Sequence, residues 1–146
     1  MKYSIELIIN KSRAEVWKKF DNAENLHKWM PTLKEFNHES GEAGQPGAKS
    51  RIKFLEGRRD IEMIETIVKR NEPEEFSGTY EMKGTRNLVE NSFSDLEDNK
   101  TKWQLDSEFE FSGIYKILSP FFKSTIVKRT KSDMNRFKDF VEGNLI

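Results

Sequence analysis

The chain has 146 residues, with 25 lysines and arginines balanced by 25 aspartates and glutamates, two histidines and no cysteine. That length suits one domain, residues 1–146, whose core needs no metal or disulfide staple. The missing cysteines exclude disulfides, thiolate metal centres and a cysteine nucleophile, and zero formal charge gives no general reason to expect nucleic acid as a partner.

The opening MKYSIE lacks the uncharged segment of a signal peptide, and no later run is long enough to span a bilayer, so a cytoplasmic, soluble chain is expected. Eleven phenylalanines and three tryptophans supply core material despite the high charge content. Tyr3, Ile5, Leu7 and Ile9 alternate with polar residues at the period of a half-buried strand. Ser12 and Glu15 then form a capping box, and the helix they start places Val16, Trp17 and Phe20 on one face. Residues 24–29 read as a second short helix stopped by Pro31.

From there the pattern is that of strands, over 33–39, 48–55, 60–69, 75–82, 87–96 and 101–111, separated by Gly, Pro, Asn and Asp. Connections of a few residues make these neighbours antiparallel, because parallel pairs need long crossovers. After Gly113 a helical period runs over 114–141, with Pro120 either as its first proper residue or as a kink. The order predicts an α+β fold, a curved antiparallel sheet whose concave face only the last helix is long enough to cover.

The stretch 5–17, IELIINKSRAEVW, resembles the opening strand, turn and helix start of the START/Bet v 1-like (SRPBCC) superfamily, near its polyketide cyclase/dehydrase-like members. NLHKWMP at 25–31, IVKRNEP at 67–73 and DMNRFK at 133–138 extend the resemblance over essentially the whole chain. Serine stands at position 12 where many members have proline, and serine caps a helix equally well. The resemblance implies the helix-grip fold, in which a curved antiparallel sheet wraps a long C-terminal helix and two short helices follow the first strand. Superfamily members bind lipids, hormones or polyketides, act as subunits of ring hydroxylases, or work as cochaperones, so the fold does not choose a function.

Reaction signatures are sparse. The sequence has no phosphate loop, no HExxH, no GxSxG and no acidic metal loop, so no cofactor and no metal are expected. His27 reads as a surface histidine between Asn25 and Lys28. His38 shares parity with Phe36, so facing inward it would serve as an acid or base; a partly exposed position near the strand's end is the favoured reading. Polar residues also fall on otherwise internal faces: Asn91 between Val89 and Phe93, Ser107 between Leu105 and Phe109, Tyr80 with Met82, and Glu65 with Met63. Inside an apolar cavity such groups bond each other, water or a ligand.

On the last helix, Phe122, Ile126, Met134, Phe137, Phe140 and Val141 form one stripe, interrupted by Thr130, Asp133 and Arg129. Arg129 and Asp133 read as a surface pair, with a position of Thr130 and Asp133 at the cavity mouth as the competing reading. The patch Ile114, Ile117, Leu118, Phe121 and Phe122 reads first as core, then as pocket lid or membrane-touching edge.

The expected function is binding of a small hydrophobic or amphipathic molecule. The walls would come from Ile5, Leu7, Phe36, Phe54, Met63, Tyr80, Val89, Phe93, Trp103, Leu105 and Phe109, and the lid from Ile126, Thr130, Met134 and Phe137, with Asp133 at the mouth as a further ligand contact. Tyr80, Asn91, Ser107 and His38 would orient the ligand. Two alternatives stand beside this reading: a cyclase or dehydratase using His38, Tyr80 or Glu65 as acid/base, and a cochaperone-like module with a filled core. Transient membrane contact through the basic last helix, a protein partner and a second copy all stay open.

Overall fold

A computed structural model describes residues 1–144. The elements are β1 (Lys2–Ile9), α1 (Arg13–Phe20), a 3-10 turn (Ala23–Asn25) leading into α2 (Leu26–Trp29), then β2 (Leu33–Ser40), β3 (Lys49–Glu56), β4 (Arg59–Asn71), β5 (Glu75–Met82), β6 (Thr85–Leu96), β7 (Lys100–Phe111) and α3 (Ile114–Glu142). The strands form one antiparallel sheet in the order β1-β7-β6-β5-β4-β3-β2. The expected succession is the observed one: a strand, two short helices, six further strands and a long helix. Register shifts at 33/35, 38/40 and 67/69 insert extra residues in β2 and β4, which bends that half of the sheet more strongly.

The capping box at α1 forms as the sequence implies, Ser12 accepting from the Glu15 amide while Glu15 reaches back to Ser12. It turns the chain so that Val16 and Trp17 land in the core beside Trp29, Phe93, Trp103, Met134 and Phe137. Phe137, with no exposed surface, meets Phe20, Trp29 and Trp103 edge-on at ring separations of 5.9, 5.1 and 5.1 Å. Offset and edge-on aromatic pairs of this kind add roughly 0.5–1.5 kcal/mol each beyond area burial.

α3 packs on β1, β7, α1 and α2. Its buried residues, Met134, Phe137 and Val141, all belong to its C-terminal half. Pro120 lies inside the helix, in its second turn. The apolar patch at the start of α3 corrects the sequence expectation of core: Ile114, Ile117, Leu118, Phe121 and Phe122 are exposed. The reason is rotational. At 100° per residue the line Ser119–Ile126–Thr130–Phe137 faces the sheet, and Ile114, Ile117 and Phe121 lie about 140–160° round the helix from it, on the side turned away. Only Tyr115 of the first turn faces inward, against Gly84, where any Cβ would collide with its ring.

Candidate functional site on the inner face of the sheet

Strand register defines the inner face row by row, because side chains alternate and paired residues point the same way. One row crosses β2 to β6 as His38, Ser50, Glu65, Tyr80 and Asn87. The row on one side of it holds Phe36, Ile52, Met63 and Met82, and the row on the other holds Ile67, Gly78, Val89, Ser107 and Tyr3. A polar seam therefore runs across a largely apolar surface.

Three side-chain hydrogen bonds fix the seam and the row beside it. Tyr80 donates its phenol proton to Glu65 Oε2 at 2.8 Å. Ser107 Oγ donates to Asn87 Oδ1 at 2.9 Å. Tyr3 and Thr130 share a 2.9 Å hydroxyl contact that ties β1 to the middle of α3. Gly78 leaves open the space beside the Tyr80 ring, 3.6–3.7 Å from where its Cβ would stand. Burial pushes the Glu65 carboxyl above the ordinary carboxylate range, with the Tyr80 bond opposing the shift. Burial, then the facing Glu65 charge and its hydrogen bond, hold the Tyr80 phenol well above its usual value, so Tyr80 stays a donor.

The remaining expected site residues separate into three groups. Phe93, Trp103, Met134 and Phe137 lie in the packed aromatic core, almost fully buried among protein side chains, with Leu105 and Ile5 at its margin. Asn91 belongs there too, accepting from Trp103 Nε1 at 3.0 Å and donating to the Phe76 carbonyl at 3.3 Å. Phe36, Phe54, Met63, Tyr80, Val89, Phe109, Ile126 and Thr130 are half-buried on the inner face or the helix above it. His38 sits at the rim of that face, exposed, with Nε2 2.8 Å from the Gly41 carbonyl oxygen. That position takes it out of an inward acid/base role.

Asp133 is half-buried rather than paired on the surface, and Arg129 meets Glu56 of β3 instead of forming the expected pair. Burial raises the Asp133 carboxyl to about 6, against the pull of Arg129 and Arg136. The Arg129–Glu56 contact joins the middle of α3 to the β3–β4 turn. Together with Tyr3–Thr130 it brackets the helix where it leaves the core. Asn87 and Glu56 were absent from the residues expected at the site. Asn87 shares strand parity with Val89 and Asn91, so its inward direction had a signal; Glu56 stands beside a turn and had none.

These features define a helix-grip fold of the START/Bet v 1 type, a seven-stranded curved sheet closed by a long C-terminal helix. The chain belongs to the polyketide cyclase/dehydrase and lipid transport family, whose model matches residues 2–142. Among solved structures it is similar to Ara h 8.0201, with a TM-score of 0.81 at 14% identity over 99% of each chain. A conserved protein from Geobacillus kaustophilus gives 0.81 at 12% identity, covering 98% of this chain and 96% of that one. A START superfamily protein from Mycobacterium smegmatis gives 0.79 at 15% identity over 97% of each. At such identities the likeness is one of fold. No curated protein matches the sequence. No described helix is long and apolar enough to cross a membrane.

Proposed function

We propose that the inner face between β2–β6 and the N-terminal half of α3 binds a small hydrophobic or amphipathic molecule. One observation carries this reading. Phe36, Phe54, Met63 and Phe109 are large apolar side chains on the concave face, yet they are only half-buried while the aromatic core beside them is closed. An apolar wall with a few fixed polar contacts is the usual composition of a small-molecule site, and the Glu65–Tyr80 and Asn87–Ser107 pairs provide those contacts. The family description, which joins polyketide chemistry to lipid transport, supports the same ligand class.

The test is native mass spectrometry of the purified protein together with fluorescence titration of anilinonaphthalene sulfonate. A copurified lipid or hydrophobic metabolite is expected, as is dye binding that Met63→Arg removes. Absence of any copurified molecule, with dye emission indifferent to Met63→Arg, would overturn the reading.

A second reading has one specific observation behind it, two titratable groups in hydrogen-bond contact on the inner face. Glu65 as carboxylate would take a proton from the carbon next to a ketone. The C–O bond to the β-hydroxyl would then break as the Glu65 carboxylic acid so formed returns that proton to it, releasing water and regenerating the carboxylate, which Tyr80 orients. Glu65→Gln and Tyr80→Phe would both abolish dehydration of a β-hydroxyketone in this case, and dye binding would survive.

A further inference from the structure

Buried polar groups in a folded protein nearly always have a hydrogen-bond partner, and the few without one call for an explanation. The pairs on the inner face need none: Glu65 accepts from Tyr80, and Asn87 accepts from Ser107. Three other groups differ. The indole Nε1 of Trp29 and the hydroxyl of Thr32 are buried and bond no protein atom among the described residues. The Asp133 carboxyl is half-buried, has no hydrogen bond or ion pair among the described residues, and is raised to about 6 by that burial. Arg129, one turn before it, meets Glu56 instead.

These three groups come from separate parts of the chain, and the contacts around them close a ring. Trp29 ends α2, and its ring centre stands 5.1 Å from that of Phe137 on α3. Thr32 lies in the turn to β2, and its carbonyl accepts from the Leu55 amide at 2.8 Å, which sets it against the end of β3. Glu56, the next residue along, meets Arg129 of α3. Asp133 is about one helical turn from Arg129 and one from Phe137, which leads back to Trp29.

The rotation of α3 agrees with this placement. Arg129, Asp133 and Phe140 lie within about 40° of one another round the helix. That side faces α1 and α2, since the Lys19 and Lys28 ammonium groups stand 5.1 and 5.2 Å from the Phe140 ring. The ring of contacts therefore bounds the end of the inner face where Leu33 pairs with Phe54, past Phe36 and Met63 and away from the Glu65–Tyr80 seam.

The donors and acceptors gathered there fit one kind of headgroup. An indole N–H only donates, a carboxylate only accepts, and a threonine hydroxyl does either. The charges beside them cancel, Glu56 and Asp133 against Arg129 and Arg136, so neither sign of ligand is favoured. An alkyl carboxylate would meet the Asp133 charge. An alkylammonium, which cannot accept, would leave the indole N–H unpaired. An alcohol suits all three groups, because its oxygen accepts from Trp29 while its proton goes to Asp133 and Thr32 takes the remaining bond.

We propose that Trp29, Thr32 and Asp133 form the polar pole of the ligand site and select a neutral hydrophobic alcohol, with its hydroxyl between the indole N–H and the carboxylate and its hydrocarbon body along Phe54, Phe36 and Met63. This deepens the inner-face reading and rests on it. Sites that hydrogen-bond a hydroxyl reject analogues lacking it, because their own polar groups are then left unpaired.

The test compares probes that share one decyl chain: 1-decanol, decyl methyl ether, decanoate and decylammonium, each competing with anilinonaphthalene sulfonate for the full chain. 1-Decanol is expected to displace the dye at a concentration about tenfold lower than any of the others. Thr32→Val and Asp133→Leu remove the polar atoms at nearly constant shape, and each should bring decanol to within about threefold of the ether. Affinity for the ether should stay that of the parent, which reports an intact fold and apolar wall. The parent also answers directly. In nitrogen–proton NMR spectra the Trp29 indole signal should move downfield with decanol, while that of Trp17, also buried without a partner, stays in place. Equal displacement by all the probes, with the Trp29 signal unmoved, would overturn the polar pole and leave the inner-face reading standing. No displacement by any probe would overturn both.

Discussion

Asn91 and Glu65 occupy the same kind of position, polar and inward on a strand, and physics gives them opposite roles. Asn91 accepts from Trp103 and donates to a backbone carbonyl, so its polar atoms are used by the core itself. Asn91→Ala strands the indole N–H of a fully buried tryptophan, and urea denaturation should show a loss of about 1–3 kcal/mol. Dye binding at the inner face should not change. Glu65 has a single side-chain partner and a raised pKa, which leaves it chemistry to offer. Asp133 gives a prediction in pH. Its folded-state pKa, about 6, lies above the ordinary 3.8, so the folded protein holds this proton more tightly than the unfolded chain does. The contribution is fully present below pH 3.8 and is lost as pH rises through about 6. Asp133→Asn should flatten that part of the stability–pH curve and raise stability at neutral pH by about 1–2 kcal/mol, solvent screening of a half-buried group allowed for. The inward direction of Asn91 and Ser107 was legible because period-2 alternation assigns a face. The Arg129–Glu56 contact was not, since a turn residue meeting a helix far along the chain leaves no periodic mark.

α3 is two helices in physical terms, one packed and one presented. Its C-terminal half inserts Met134, Phe137 and Val141 into the aromatic core, while its N-terminal half shows phenylalanine and isoleucine to solvent. Phe137→Ala should cost about 3–5 kcal/mol in chemical denaturation, because rigid ring neighbours on three sides cannot close the cavity. Phe121→Ala should stay within about 0.5 kcal/mol, as surface changes do. Similar costs at both positions would show that the first half is packed in solution. The length and place of α3 could be read from the sequence, as could the capping box of α1, because both are local patterns. What covers a given stripe could not be read. A helical period shows that apolar residues share a face, while the partner of that face depends on how the helix is rotated over the sheet, here by the seat of Tyr115 against Gly84.

At the scale of the whole molecule, the closed core and the open inner face should differ in stability as well as in contents. β6, β7, the amides that β1 bonds to β7 and the C-terminal half of α3 share the aromatic cluster, so they should exchange only through global unfolding. β2 is an edge strand with two register shifts, and the first turns of α3 bury no large side chain, so both should open at a lower free-energy cost. Hydrogen exchange read by mass spectrometry should then show a gradient across the sheet, lowest protection at β2 and β3 and highest at β7. Anilinonaphthalene sulfonate at saturation supplies the discriminating step. A ligand seated between β2–β6 and α3 must leave when β3, β4 or residues 114–126 open, so these gain protection along with β7, which gains because global unfolding now also expels the ligand. Protection that rises in β7 while β3, β4 and residues 114–126 keep their former rates would instead mean that the dye binds outside the inner face, since local openings that leave it bound are not stabilised by mass action.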